Sequence, residues 1–178
     1  GSDGIGLAPC DDRALVAHVR TAVRRGLPVA IFDSPLDGKA GVDYINFVAT
    51  DNKQAGVTAA ETLLGLSTAP AFGGRVLMVR FTEGSASTRL REEGFVEKLG
   101  SQAKLKLEAQ QFTDGSMAGA QRVAETLLGN YVKNNTLELD GIFASNQPTA
   151  EGTYNALRAL RDKGVAIKAP FVGFDDSE

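Results

Sequence analysis

Three polar residues stand at the ends of apolar runs where local structure has no need of them. Asp33 closes Leu27–Ser34 (LPVAIFDS), with Ser34-Pro35 behind it and no helix to cap; Asn146 closes Phe-Ala-Ser-Asn, and Asp175 closes Val-Gly-Phe-Asp. A polar group emerging from such a run must find partners. Two arginines, Arg89 and Arg91, follow the Gly84–Ser87 turn at the start of a helix reading Glu92-Glu93-Gly94-Phe95. One of the two is expected on an exposed face, Arg89 pairing with Glu92 or Glu93, which leaves the other to point inward. A carboxylate accepts from hydroxyls, an amide both donates and accepts, and a guanidinium offers a rigid fork of donors. Gathered in one cleft, these groups suit a neutral polyhydroxylated ligand.

Other chemistries fit less well. The Gly84–Ser87 loop could hold an anion at a helix N-terminus, but it lacks GK[ST], and no GxGxxG follows the first strand. His18 sits in a helix beside Val16 and Val19, reads as a half-buried structural histidine, and has no nucleophile spaced beside it. Asp33 and Asp37 hint at a paired-aspartate site, yet Pro35 makes a turn the better reading. Cys10, the one cysteine, reads as a small buried residue, and alone it makes neither an internal disulfide nor a cysteine metal cluster. Asp11, Asp12, Asp51, Ser85, Asp114 and Ser116 read as helix caps and turn formers.

Composition narrows the class further. The 178 residues are 43% hydrophobic and 23% charged, with Lys+Arg 19 against Asp+Glu 22 and a formal charge of −3. That balance supplies no concentrated basic face for nucleic acid. No run of about eighteen apolar residues could form a spanning helix. No charged n-region with an apolar h-region opens the chain, so a secretory signal is expected to be absent or removed.

These residues need elements to position them. Strand-like runs occur at Gly4–Pro9, Leu27–Ser34, Tyr44–Asp51, Arg75–Phe81, Leu105–Phe112, Asp140–Asn146 and Ala169–Asp175. Several are continuously apolar, as expected for strands covered on both faces. Helical spacing fills the intervals. Asp12–Arg25 places Leu15, Val16, Val19 and Val23 on one face before Gly26, and Asn52–Leu66 follows the cap candidate Asp51. Leu90, Phe95, Val96 and Leu99 mark a third helix ended by Gly100; Val123, Leu127, Leu128 and Tyr131 a fourth; Ala150–Lys163 a fifth before Gly164. Alternating strands and helices predict an α/β fold with parallel sheets and helices on both faces.

One connection does not fit a single sheet. The stretch between Ser34 and Tyr44 is shorter than a parallel crossover needs, so the Tyr44–Asp51 strand is expected to leave the first sheet or to pair differently. Thr50–Asn52 then reads as a passage between lobes: residues 1–50 form part of an N-terminal lobe and 51–178 most of a C-terminal lobe with four strands. The first lobe holds too little apolar surface for an independent core, and the sequence stops at Asp176-Ser177-Glu178 just after a strand. A fragment of a longer protein is the expectation.

With the motifs assembled, the chain resembles the type I periplasmic sugar-binding proteins, the ribose-binding group of ABC-transporter solute receptors. The stretches that carry the resemblance are DGIGLAPCDDRALVAHV, GLPVAIFDSPLD, FVATDNKQAGVTAAETL, GSASTRLREEGF, DGIFASNQPTAEGTYNAL and FVGFDDSE, in the family's order and spacing. The resemblance implies two Rossmann-like lobes joined by a hinge, with a monosaccharide held between them and no cofactor. It also implies ligand contacts from Asp33, Arg91, Asn146 and Asp175, with Ser34, Arg89 and Phe174 as secondary candidates and Phe174 as a cleft wall. The chain departs from the pattern at Gly115, where relatives often carry an aromatic residue; at Ser34, where ribose binders carry a base; and at Gln147, where many carry an acid.

The implied function is that of a periplasmic or extracytoplasmic receptor, monomeric, that closes around its sugar and delivers it to ABC permease subunits. The same fold serves as the effector domain of LacI-type regulators, the alternative reading, although Phe72-Gly73-Gly74 and Asn146-Gln147-Pro148 look more like a transporter receptor. An enzyme lacks a base–nucleophile pair in this sequence. A sensor ectodomain remains a further possibility on this fold.

Overall fold

The computed structural model describes residues 1–69 and 72–175. The chain opens with β1 (Ile5–Leu7), α1 (Val16–Arg24), β2 (Val29–Phe32) and β3 (Phe47–Val48). Asp11 delays the first helix: its carboxylate accepts from the N–H groups of Arg13 and Ala14, both at 2.8 Å, so residues 12–15 turn before α1 begins. The three strands form one parallel sheet in the order β1-β2-β3, with Ile5 opposite Val29 and Ile31 opposite Phe47.

This corrects the expectation that the third strand leaves the first sheet. Pairing begins at Phe47 rather than Tyr44, so residues 33–46 form the connection, and that length permits a parallel crossover without a helix. Leu36 and Tyr44 fill the helix's place. Both are buried, and they pack with Val19, Val29 and Ile31 as the core of this sheet. The Tyr44 hydroxyl donates to the carbonyl oxygen of Gly38 at 3.1 Å, so the tyrosine enters the core with its polar end satisfied. The core is as small as the sequence implied.

Beyond residue 51 come α2 (Asn52–Leu66), β4 (Gly74–Arg80), α3 (Ala86–Gly100), β5 (Leu105–Phe112), α4 (Met117–Gly129), β6 (Val132–Lys133), β7 (Thr136–Leu137), β8 (Gly141–Ala144), α5 (Gln147–Asp162) and β9 (Phe171–Val172). Four of these strands make a second parallel sheet, β5-β4-β8-β9. The middle of its central strands, Val76–Val79 and Gly141–Ala144, is apolar and buried because both faces are covered. Val76, Met78 and Phe143 turn toward α2 and α3, where the Phe143 ring stacks on Phe95 at 4.1 Å between centroids. Leu77, Val79 and Ile142 turn toward α4 and α5, against Ala120, Ala124, Leu128 and Ala156. Each fully buried Val, Leu, Ile, Met or Phe side chain here contributes roughly 1.5–3 kcal/mol.

Two of the expected caps, Asp51 and Ser116, form, whereas Ser85 precedes α3 without a side-chain capping bond. Asp51 accepts from the N–H of Gln54 at 3.0 Å and starts α2; Ser116 accepts from Gly119 at 2.9 Å and starts α4. Three differences stand out. Helix α4 ends at Gly129, so Tyr131 lies beyond it, packed under the Arg75 guanidinium. Helix α5 begins at Gln147 rather than Ala150, and the antiparallel hairpin β6–β7 is additional. Its two-residue loop, Asn134-Asn135, has φ of 48° and 55°, the left-handed pair that a tight hairpin requires.

Candidate functional site

The carboxyl ends of β1, β2, β4, β8 and β9 open onto one cleft of about 350 Å³ between the two sheets. In open parallel sheets this is where ligands bind. Ala8, Pro9, Cys10, Asp33 and Ser34 line it from the first sheet. From the second come Phe81, Ser85, Ser87, Thr88, Arg91, Asn146 and Asp175. The four principal site residues, Asp33, Arg91, Asn146 and Asp175, therefore meet, and Ser34 joins them.

Asp33 and Asp175 share an unusual backbone, with φ of 63° and 65°. Aspartate is among the few residues that enter the left-handed region readily. At Asp33 the N–H donates to the carbonyl oxygen of Val48 at 3.0 Å, and the next N–H, of Ser34, donates to Phe32 at 2.7 Å. That tight turn halts the strand and exposes the Asp33 carboxylate at the cleft. Ser34 itself is buried, and its Oγ accepts from the Ser87 N–H at 3.4 Å across the gap between the sheets.

Arg91 is the most constrained side chain of the site, 7% exposed. Its Nε donates to Asn52 Oδ1 at 2.8 Å. Its Nη1 donates to the Ser145 carbonyl oxygen at 3.1 Å and to Asp175 Oδ2 at 3.3 Å. The Phe174 ring lies 3.9 Å from the guanidinium carbon. No hydrogen bond from Nη2 is present among the described residues, and Arg91 is one of the residues that line the cleft. Phe174 thus backs the arginine instead of lining the cavity. Arg89 is turned away, half-exposed, and pairs with Glu93 at 3.3 Å and Asp12 at 3.2 Å.

Asn146 combines two roles. It caps α5, which the sequence reading had set aside: Oδ1 accepts from the Thr149 N–H at 3.3 Å, while the Asn146 N–H donates to Thr149 Oγ1 at 3.1 Å. Its Nδ2 makes no hydrogen bond among the described residues, and Asn146 lines the cleft. Asp175 Oδ2 also accepts from the Gln147 N–H at 3.2 Å, which places this carboxylate at the positive end of α5. Asp176, read from sequence with Asp175 as a strand-end acid, lies outside the described residues.

Two expectations are corrected. Cys10 is exposed and lines the cleft, because β1 ends at Leu7 and the buried residue of that turn is Pro9. His18 is exposed, because the inward stripe of α1 runs through Val16, Val19 and Val23, and the position before Val19 lies about 100° around the helix. Gly115 does leave its position without a side chain. Its φ of 84° suits glycine, and the Phe81 ring stands against the space a Cβ would take. Phe81, which the sequence reading missed, supplies an aromatic surface to the cleft. Asn52 was also missed, as was Glu92, which is 2% exposed and accepts from Arg80 Nε at 2.8 Å and Ser145 Oγ at 2.9 Å. The one available signal was their polarity within helices whose neighbours are buried.

Among the described residues no group of three or more His, Cys, Asp or Glu could hold a metal ion. No helix of the described residues is long and apolar enough to cross a membrane. What the cleft offers is hydrogen bonding of both senses around an aromatic surface, with one guanidinium opposed by two carboxylates.

Comparison with known proteins bears on the family and the fold. A D-allose-binding periplasmic protein of Escherichia coli (strain K12) is 28% identical over 176 residues, covering 97% of this chain and 53% of its own length. A solute-binding protein of an Agrobacterium vitis ABC transporter, solved with bound D-fucose, is 32% identical with a TM-score of 0.83, over 97% of this chain and 56% of that one. The periplasmic component of an ABC-type sugar transport system from Hahella chejuensis is 30% identical with a TM-score of 0.86, over 99% of this chain and 60% of that one. The chain spans about half the length of the curated relatives it matches. The model of the periplasmic binding protein domain matches residues 1–178, and the chain belongs to that family.

Proposed function

We propose that this chain carries the ligand cleft of a periplasmic receptor that binds a neutral monosaccharide for an ABC-type uptake system. The observation that carries the reading is the convergence of Arg91, Asn146 and Asp175 on one side of the cleft with Asp33 on the other. Arg91 Nη2 and Asn146 Nδ2 donate to ring or hydroxyl oxygens, and the two carboxylates accept from hydroxyls. Phe81 packs against the C–H face of the sugar. Residues 1–50 and 51–178 act as parts of two lobes that close on the ligand, because contacts from both sides favour the closed arrangement. The receptor works as a monomer without a cofactor, releases the sugar unchanged and hands it to the permease subunits. The sugar-binding names of the matched relatives favour this reading over a regulator's effector domain.

A thermal-shift screen tests it, with D-allose, D-ribose, D-fucose and other pentoses and hexoses at millimolar concentration. A sugar at ~100 times its dissociation constant adds about 2.7 kcal/mol of stability, enough to raise the melting midpoint by several degrees. A selective rise with one sugar class is expected. A flat response over the panel, with no heat of binding by calorimetry, would overturn the sugar-receptor reading for this chain.

A further inference from the structure

Arg91 presents five N–H groups, and the structure accounts for three of them. Two on Nη1 meet Ser145 and Asp175, and the one on Nε meets Asn52. The pair on Nη2 has no hydrogen bond among the described residues, and Arg91 lines the cleft. Bonds to Nη1 alone would let the planar fork swing about that nitrogen, whereas a second anchor at Nε fixes the direction in which Nη2 points. We infer that Asn52 is the positioning residue of Arg91 and holds its Nη2 edge toward the ligand, an inference about the recognition site that rests on the sugar-binding reading.

Four observations support this role. Asn52 is 3% exposed, so its oxygen cannot exchange Arg91 for bulk water. The capping of α2 is performed by Asp51, which accepts from Gln54, so the Asn52 side chain is not engaged as the helix cap. The backbone of Arg91 is referenced to the same helix: a Cβ on Gly56, one turn beyond Asn52, would collide with the Arg91 carbonyl group. Helix α2 therefore fixes both the main chain and the side chain of the arginine. Asn52 is also the first residue after the passage from β3, so the segment that joins the two sheets ends on the group that orients the arginine.

The test compares the wild type with Asn52→Ala, Asn52→Asp and Arg91→Lys. The first readout needs no ligand: the Arg91 Nε–H resonance in a proton–nitrogen correlation spectrum, assigned by its loss in Arg91→Lys. Exchange of that proton with water is expected to be at least tenfold faster in Asn52→Ala. It is expected to stay near wild type in Asn52→Asp, which keeps an acceptor in place. The second readout is calorimetric affinity for D-allose, D-ribose and D-fucose. Asn52→Ala is expected to weaken binding at least tenfold and Asn52→Asp less than threefold, while Asn52→Ala on an Arg91→Lys background adds less than twofold. Unchanged Arg91 exchange in Asn52→Ala, or effects of Asn52 and Arg91 that simply multiply, would overturn the positioning role. If no sugar binds the wild type, the sugar reading fails, and the Nε–H exchange still decides the role of Asn52. Should Asn52→Ala not fold, Asn52→Ser shortens the side chain without emptying the site and takes its place under the same criteria.

Discussion

Gly56 of α2 meets the carbonyl group of Arg91 on α3 with no room for a methyl group between them. Thirty-eight residues further along the chain, Gly94 stands against the Lys53 carbonyl in the same way, so the two helices approach through a reciprocal pair of glycines. Gly56→Ala must push the helices apart beneath the cleft. Overpacking of this kind costs roughly 1–3 kcal/mol. Denaturant unfolding should show a lower midpoint at unchanged m-value, and sugar affinity should fall with it because Arg91 is displaced. Wild-type stability in Gly56→Ala would contradict the close approach.

Asp175 tests the recognition chemistry without disturbing the backbone. Asn tolerates the left-handed conformation at this position, so Asp175→Asn should fold. It keeps one acceptor but loses the charge opposite Arg91. Sugar affinity is expected to fall at least tenfold, about 1.4 kcal/mol, with little change in the thermal midpoint. Calorimetry against the best-bound sugar measures it, and binding within threefold of wild type would remove Asp175 from the ligand set.

The two ends of the pH range act on the first sheet in opposite senses. The Arg20 side chain, with the Lys39 N–H, holds the Asp43 carboxyl below its ordinary value. Its contribution is present above the unfolded value of about 4 and is lost as pH falls through the lower folded value. Burial pushes the Tyr44 hydroxyl above its ordinary value, with Asp43 and Asp37 adding to the shift. That contribution is complete below about pH 10 and is lost as pH rises through the folded value. A melting profile from pH 2 to 11 should therefore fall at both ends. Asp43→Asn should flatten the acid limb and Tyr44→Phe the alkaline one, and a variant that leaves its limb unchanged would refute the corresponding assignment.

The β6–β7 hairpin offers a stabilising substitution. Asn135 adopts φ of 55° after Asn134 at 48°. Glycine enters this region more readily still, and Asn-Gly is the favoured pair for such a turn. Asn135→Gly should raise stability by about 0.5 kcal/mol, read as a higher denaturant midpoint with sugar affinity unchanged. A drop in stability would mean that the Asn135 side chain makes a contribution larger than its backbone strain.

The residues best read from sequence are those whose type answers a local demand. Asn52–Leu66 and Leu105–Phe112 match the observed helix and strand at both ends, because Asp51 caps the one and alternation governs the other. The ends of β1, β2 and β9 were read too long, since apolar residues continue past the last paired position to line the core or the cleft. The third strand was misassigned because the true pairing starts at Phe47, and the distance between apolar runs underestimates the connection. The hairpin went unread although its Asn-Asn pair was visible. Asp33, Asn146 and Asp175 stand out because they end apolar runs, whereas Arg91 is separated from Arg89 only by the family resemblance; all four line the cleft. Asn52, Phe81 and Glu92 do not stand out, since their importance lies in what another element places against them.

The manner in which Arg91 is held also bears on the thermodynamics of capture. A free arginine side chain surrenders about 2 kcal/mol of rotamer freedom when it is immobilised. Here that loss is incurred during folding, through Asn52, Ser145, Asp175 and the Phe174 ring. On the proposed function, a ligand entering the cleft would meet a preorganised donor, so little of its binding free energy would be offset by ordering the arginine. On that reading selectivity would be a matter of stereochemistry: an epimer that turned one hydroxyl away from the arginine would leave a buried guanidinium edge unpaired, and the side chain would not be free to follow it.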